Sequence, residues 1–175
     1  MGKPLSNYSS LGVSAAIPSP AEDGSVLSID RLNFATKETF QFIDITDEVA
    51  QLVKKERLWF GTVVLYSLHT TAALVINEAE PYLLDDFKRL LEELCPDSQR
   101  YGHDEHHRKR QAAGENERPN GSSHCRALLL PTSVTIPVVE GTIQVGRWQR
   151  AFLVELDIGR PREVLVQCLG LRSLS

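Results

Sequence analysis

Five histidines carry most of the chemistry available to this 175-residue chain near neutral pH. Four of them, His103, His106, His107 and His124, fall in or beside one polar stretch after Cys95, and His69 closes an apolar run that ends at Asn77 and Glu78. Neutral imidazole is the commonest protein ligand for zinc and similar divalent ions, and three such rings with an open position make a catalytic metal site. His103 and His107 share a face if their stretch is helical. The competing reading of His106 and His107 is a solvated polar loop, and that of His69 and His124 is a hydrogen-bonded core histidine. Strand ends hold an imidazole in fixed geometry, and His69 is placed at one.

Two groups of cations offer anion chemistry. Arg108, Lys109 and Arg110 form a basic run that attracts phosphate or simply stays solvated. Arg160 and Arg162 follow a strand, where planar guanidinium groups can clamp phosphate or carboxylate. A turn held by a salt bridge to Glu155 or Asp157 is the alternative. Neither a Walker-type loop nor GxGxxG is present, so nothing supports a nucleotide fold.

Composition narrows the classes further. A net charge of −4 and a pI near 5.7 lack the positive field of non-specific nucleic-acid binding, so no nucleic-acid partner is expected. No apolar run approaches the roughly 20 residues that cross a bilayer, so no membrane association is expected. Cys95, Cys125 and Cys168 contain no CxxC, which favours reduced thiols and a cytoplasmic location. Residues 1–24 are rich in Ser, Pro, Gly and Ala and read as a disordered N-terminal tail. Their single Lys and lack of Arg argue against a transit peptide.

Residues 25–175 read as one domain that must position these groups. The stretches 26–34 and 40–43 read as a strand pair joined by a turn over 35–38. Thr46 suits an N-cap, with Asp47 and Glu48 in the first turn and Val49, Leu52 and Val53 on one face. Residues 59–68 and 72–76 are rich in β-branched and aromatic residues, as buried strands are. Pro81 opens a second helix whose Leu83, Leu84, Phe87, Leu90, Leu91 and Leu94 form a core-packing stripe. The stretch between Cys95 and Gly121 fits no element and reads as a functional or disordered loop. Strands return at 134–139, 142–145, 148–156 and 163–169. Many strands and few helices in non-alternating order predict an antiparallel α+β sandwich.

Six ordered segments then identify a family. They are 69–78 (His-Thr-Thr-Ala-Ala-Leu-Val-Ile-Asn-Glu), 101–104 (Tyr-Gly-His-Asp), 120–124 (Asn-Gly-Ser-Ser-His), 136–141, 145–149 (Val-Gly-Arg-Trp-Gln) and 155–162. The chain resembles the YjbQ-like family from about Leu32 to Gly170. The resemblance implies a homotrimeric, YjbQ-like antiparallel β-sandwich with a histidine-lined pocket and a secondary thiamine phosphate synthase activity. It implies His69, His103 and His124 as ligands of a divalent metal, zinc among the candidates, while His106 and His107 lie outside its pattern. Three departures stand out: a longer and more basic segment between His103 and Asn120, Arg147 where a small residue is common, and Pro131 where glycine is common. The second can add a phosphate contact, and the third rigidifies a turn.

The expectation is therefore a protein acting on a phosphorylated small-molecule ligand. The synthase reaction joins hydroxymethylpyrimidine diphosphate to thiazole phosphate and expels pyrophosphate. His124, Glu78, Asp104 and Glu155 are the candidate catalytic residues, the three carboxylates orienting histidines or moving a proton. Asn77, Asn120, Trp148, Gln149, Arg160 and Arg162 are the candidate ligand-binding residues. Alternatives are a metal-dependent phosphoester hydrolase and a non-catalytic oligomeric binding protein.

Overall fold

The computed structural model describes residues 24–106 and 118–173. All but the last residue of the expected tail, together with His107 and the basic run Arg108, Lys109 and Arg110, lie outside the described residues. The elements are β1 (Ser25–Ala35), β2 (Phe42–Asp44), α1 (Thr46–Lys55), β3 (Leu58–Ser67), β4 (Ala72–Glu78), α2 (Pro81–Leu94), α3 (Gly121–Leu129), β5 (Ser133–Val139), β6 (Thr142–Ile143), β7 (Gln149–Glu155) and β8 (Pro161–Arg172). A short helical turn over 102–106 precedes α3.

The strands form two antiparallel sheets, ordered β1-β8-β3-β5-β6 and β2-β7-β4. Burial alternates along β1, one face turned inward with Val26, Leu32 and Phe34 and the other exposed, Leu27 and Ile29 included. Its partner is β8, with Val26 opposite Gly170 and Phe34 opposite Arg162, whereas β2 pairs with β7. The expected pairing of 26–34 with 40–43 is thus corrected: the connecting turn carries the chain from the larger sheet to the smaller one. Apolar side chains of both sheets meet in a core that includes Val63, Leu65, Ile136, Leu153 and Val166, and α1 closes one end of it with Val49 and Val53.

β7 is buried from Ala151 through Glu155, on both its faces. Its second face, with Phe152, Val154 and Ala73 of β4, packs against Leu84 and Leu91 of α2 and Ala127 of α3. The architecture is sheet on sheet with a helical layer over the smaller sheet. Only Leu91 of the α2 stripe is fully buried, while Leu90 and Leu94 are more than half exposed. Glu80 caps that helix, accepting the N–H groups of Tyr82 (3.0 Å) and Leu83 (2.7 Å), and Pro81 occupies the first turn as its spacing predicts. Thr46 is the first helical residue of α1, not its cap: its hydroxyl accepts the Ala151 N–H at 2.8 Å, and Asp44 Oδ1 accepts the Thr46 N–H at 3.0 Å.

Candidate functional site

α3 runs through sequence in which no element was expected. Gly121 sits so close beneath Tyr101 that a Cβ there would lie 2.5 Å from the Tyr101 Cβ, so this helix start requires glycine. The N–H of Gly121 donates to Asp104 Oδ1 at 2.8 Å, and His103 Nε2 lies 3.2 Å from Asn120 Oδ1. Asp104 therefore ties the 102–106 turn to the start of α3. This brings the His103 and His124 rings together edge to face, 4.8 Å between centroids.

Beside them is a polar pocket of about 380 Å³, whose lining includes Asp97, Asp104, Asn120, Ser122, Ser123 and Arg126. Arg126 is fully buried, a rare state for arginine. Its guanidinium stacks over Phe40 at 4.5 Å, Nε donates to the Cys95 carbonyl at 3.0 Å, and Nη2 pairs with Glu92 and with Asp97 (3.0 Å). Phe40 reaches that position through a left-handed backbone, φ 60°. Sequence reasoning passed over Arg126, Ser122, Ser123 and Asp97. The available signal was an arginine inside the otherwise apolar stretch from Cys125 to Leu130, since a charge in such a run is buried only with partners.

His69 is placed differently. Its Nε2 accepts the Glu163 N–H at 2.7 Å, so the neutral ring carries its proton on Nδ1. Burial, then the nearby Arg162 cation, hold this imidazole below its ordinary value. Below about pH 6.5 the unfolded chain takes up a proton that the folded ring resists. Stability is therefore expected to fall as pH drops from 6.5 toward the lowered value and to level off beneath it, in urea titrations across that range; His69→Gln should flatten the slope.

Next to His69 the expected ligand-binding and catalytic groups satisfy one another. Arg162 Nε donates to Glu155 Oε2 at 2.6 Å, its Nη2 bonds Glu155 Oε1 and the Thr71 hydroxyl (3.0 Å), and Thr36 donates to Glu155 Oε2 at 2.6 Å. Burial pushes the Glu155 carboxyl up, but the bonds from Arg162, Thr36 and the Asp157 N–H outweigh it and leave the group below its ordinary value. Arg160 pairs with Asp157, which also lines the polar pocket, so the segment from Glu155 to Arg162 joins the two regions.

The remaining candidates lie at the far end of β4. Glu78 stands opposite Gln149 in register and borders a groove of about 340 Å³ with Arg147 and Trp148, whose ring Arg147 overlies at 4.7 Å. Asn77 Oδ1 accepts the Glu78 N–H at 2.9 Å, and Gln149 Oε1 accepts the Gly146 N–H at 2.8 Å. Pro131, the third departure, accepts the Leu74 N–H on its carbonyl at 2.9 Å, in the connection from α3 to β5.

The structure thus joins His103, Asp104, Asn120 and His124, and separately joins His69 with the Glu155 and Arg162 pair. Among the described residues no group of three or more His, Cys, Asp or Glu side chains is placed to hold a metal ion. His69 Nε2 is taken by the Glu163 N–H, and His69 stands apart from the His103 and His124 pair. The measurable consequence is that His69→Ala leaves the metal content of protein purified without a metal-affinity tag unchanged. Loss of one divalent ion per chain in the His69→Ala, His103→Ala and His124→Ala variants alike would overturn that geometry.

Comparison with known proteins agrees with the fold. The sequence profile of the UPF0047 protein YjbQ-like family matches residues 30–171. A UPF0047 protein of Archaeoglobus fulgidus is 38% identical over 138 residues, 79% of this chain and 98% of that protein. The UPF0047 protein YjbQ of Escherichia coli O157:H7 is 33% identical over 129 residues, 72% and 86% of the two chains. A YbjQ-like protein of unknown function from Sulfolobus solfataricus P2 superposes with a TM-score of 0.73 at 31% identity, covering 83% of this chain and 99% of that one.

Proposed function

Because the chain belongs to the YjbQ-like UPF0047 family, we propose that its polar pocket receives a small phosphorylated ligand and that His124 handles the proton in a group transfer. The reaction proposed is the joining of hydroxymethylpyrimidine diphosphate to thiazole phosphate. The bond between the two heterocycles forms as the carbon–oxygen bond to the diphosphate breaks, and pyrophosphate leaves with the electron pair. The observation supporting this reading is the His103 and His124 pair beside a pocket lined by Arg100, Arg118 and Arg126. An imidazole can give a proton to a departing phosphate oxygen near neutral pH, and cations lower the energy of the charge that develops there.

His103 is held by Asn120 and orients its neighbour, and Asp104 fixes the helix start. Glu155 and Arg162 serve as a support for the segment that carries Asp157. The test is product analysis with purified protein: thiamine phosphate plus pyrophosphate supports the reading. Free phosphate released from simple esters in a His124-dependent way would replace it with a hydrolase, and no product from a panel of phosphorylated metabolites would leave a binding protein.

A homotrimer is part of the same proposal. Its support is the outer face of the larger sheet, where Leu27 stands opposite Leu169 and Phe60 opposite Leu171, all four exposed, with Ile29 and Tyr66 also exposed on β1 and β3. A contiguous apolar patch of this kind marks an interaction surface, and closed symmetric assembly is the usual way to cover it. Light scattering is expected to give about three times the 19.5 kDa chain mass, and Leu169→Asp to lower it. A stable wild-type monomer at micromolar concentration would refute the assembly. A cytoplasmic location is proposed from the cysteines, which are free, with burial pushing the Cys95 and Cys168 thiols up. No helix among the described residues is long and apolar enough to cross a membrane.

A further inference from the structure

Resting on the phosphorylated-ligand reading, we infer that the phosphate is seated at the start of α3 by the Ser122 and Ser123 N–H groups and by Arg126 Nη1. The chemical class is a phosphate or diphosphate ester.

Three observations converge on this seat. First, α3 has nine residues and no side-chain cap from Asn120. Its Gly121 N–H is taken by Asp104, and the His124 N–H bonds the Asn120 carbonyl at 3.2 Å. Between them the Ser122 and Ser123 N–H groups belong to the first turn, where a helix has no carbonyl to offer. Both residues are buried and both line the pocket. A helix start of this kind favours an anion through its N–H groups and its dipole together.

Second, and independently, the buried Arg126 guanidinium keeps one donor, Nη1, without a partner, while its other nitrogens are bonded to Cys95, Glu92 and Asp97. Phe40 beneath the guanidinium plane and the Cys95 carbonyl fix its orientation, and Arg126 is one of the residues lining the pocket. Leaving such a donor unsatisfied away from water is costly unless a ligand meets it.

Third, the pocket supplies further cations, and its carboxylates already have partners. Arg100, Arg118 and Arg126 line it together with Asp97, Asp104 and Asp157. Asp97 is held by Arg126 and the Ser122 hydroxyl, and Asp157 by Arg160, which reduces the repulsion these carboxylates exert on a seated phosphate. His124 follows the two seating residues on the same helix, within one turn along the backbone.

Calorimetric titration of the full chain with inorganic pyrophosphate tests the seat. Ser123→Asp puts a carboxylate at the helix start, where the phosphate would sit and where the helix dipole favours negative charge, and circular dichroism melting checks that the fold is kept. It is expected to weaken pyrophosphate binding by at least about tenfold. Asp97→Asn removes a repelling charge and is expected to tighten binding severalfold, a direction that general destabilisation does not produce. Wild-type protein that fails to bind pyrophosphate at millimolar concentration, or Ser123→Asp protein that binds it undiminished, would overturn the assignment. Pyrophosphate binding that follows these shifts without thiamine phosphate formation would retain the seat and remove the synthase reading. Product formation that depends on His124 while Ser123→Asp binds normally would do the reverse.

Discussion

Glu155→Ala is expected to destabilise the fold by about 3–5 kcal/mol, because it leaves the Arg162 cation buried without its counter-charge. Glu155 is fully buried and Arg162 is 4% exposed, so solvent offers no screening to soften the loss. The carboxylate also accepts from Thr36 and from the Asp157 N–H (2.9 Å), and those donors lose their partner as well. Against a typical stability of about 5–15 kcal/mol this is a large fraction, and it reaches the segment that carries Asp157 into the pocket. Urea denaturation measures the effect directly. The paired replacement of Glu155 and Arg162 by methionine should recover much of it, since an apolar pair of similar volume often substitutes for a buried ion pair. A loss under about 1 kcal/mol in the single variant would show that the pair contributes little. The pH dependence carries the same sign: with its folded value lowered, Glu155 contributes stability fully above the ordinary carboxylate range and loses it as pH falls through the lowered value.

His124→Ala is expected to lower kcat for thiamine phosphate formation by about 100- to 10,000-fold, the range for removing a general acid or base. The side chain is half-buried at the start of α3 and its backbone N–H bond to Asn120 survives the change, so the melting temperature should move little. His103→Ala should cost less, since that ring stacks on His124 and bonds Asn120 without being assigned the proton. A loss confined to KM would recast His124 as a binding group. Equal losses in His124→Ala and His106→Ala, with His106 exposed on the 102–106 turn, would indicate a general effect of the segment and sink the assignment.

Much of the local structure was legible in the residues. The β-branched run of β3 and Pro81 before a leucine stripe place two elements near their observed bounds, because each signal acts over a few neighbouring residues. α3 was not legible, for its first turn is Gly-Ser-Ser, which has poor intrinsic helix propensity; Asp104 and the close fit beneath Tyr101 stabilise it from outside. Asn120 before that turn was the one local hint.

The site divides along the same line. Residue type alone marked His103, Asp104, Asn120 and His124 as chemical candidates, and the ordered motifs tied them to a family. Which imidazoles meet was decided by tertiary structure: the 102–106 turn folds onto α3, and His69 turns to the Glu163 N–H instead. Glu155 and Arg162 read as functional groups by type and became each other's partner through burial, since two opposite charges in a dry interior must pair. Arg126 gained its standing only from its surroundings, a Phe40 ring, a Cys95 carbonyl and two carboxylates brought from distant parts of the chain. The sequence by itself determined the strands, the helix α2 and the inventory of chemical groups, all of which follow from local pattern. Sheet order, the third layer and the pocket were decided by contacts between distant residues, whose energies depend on burial and charge pairing that no local window contains.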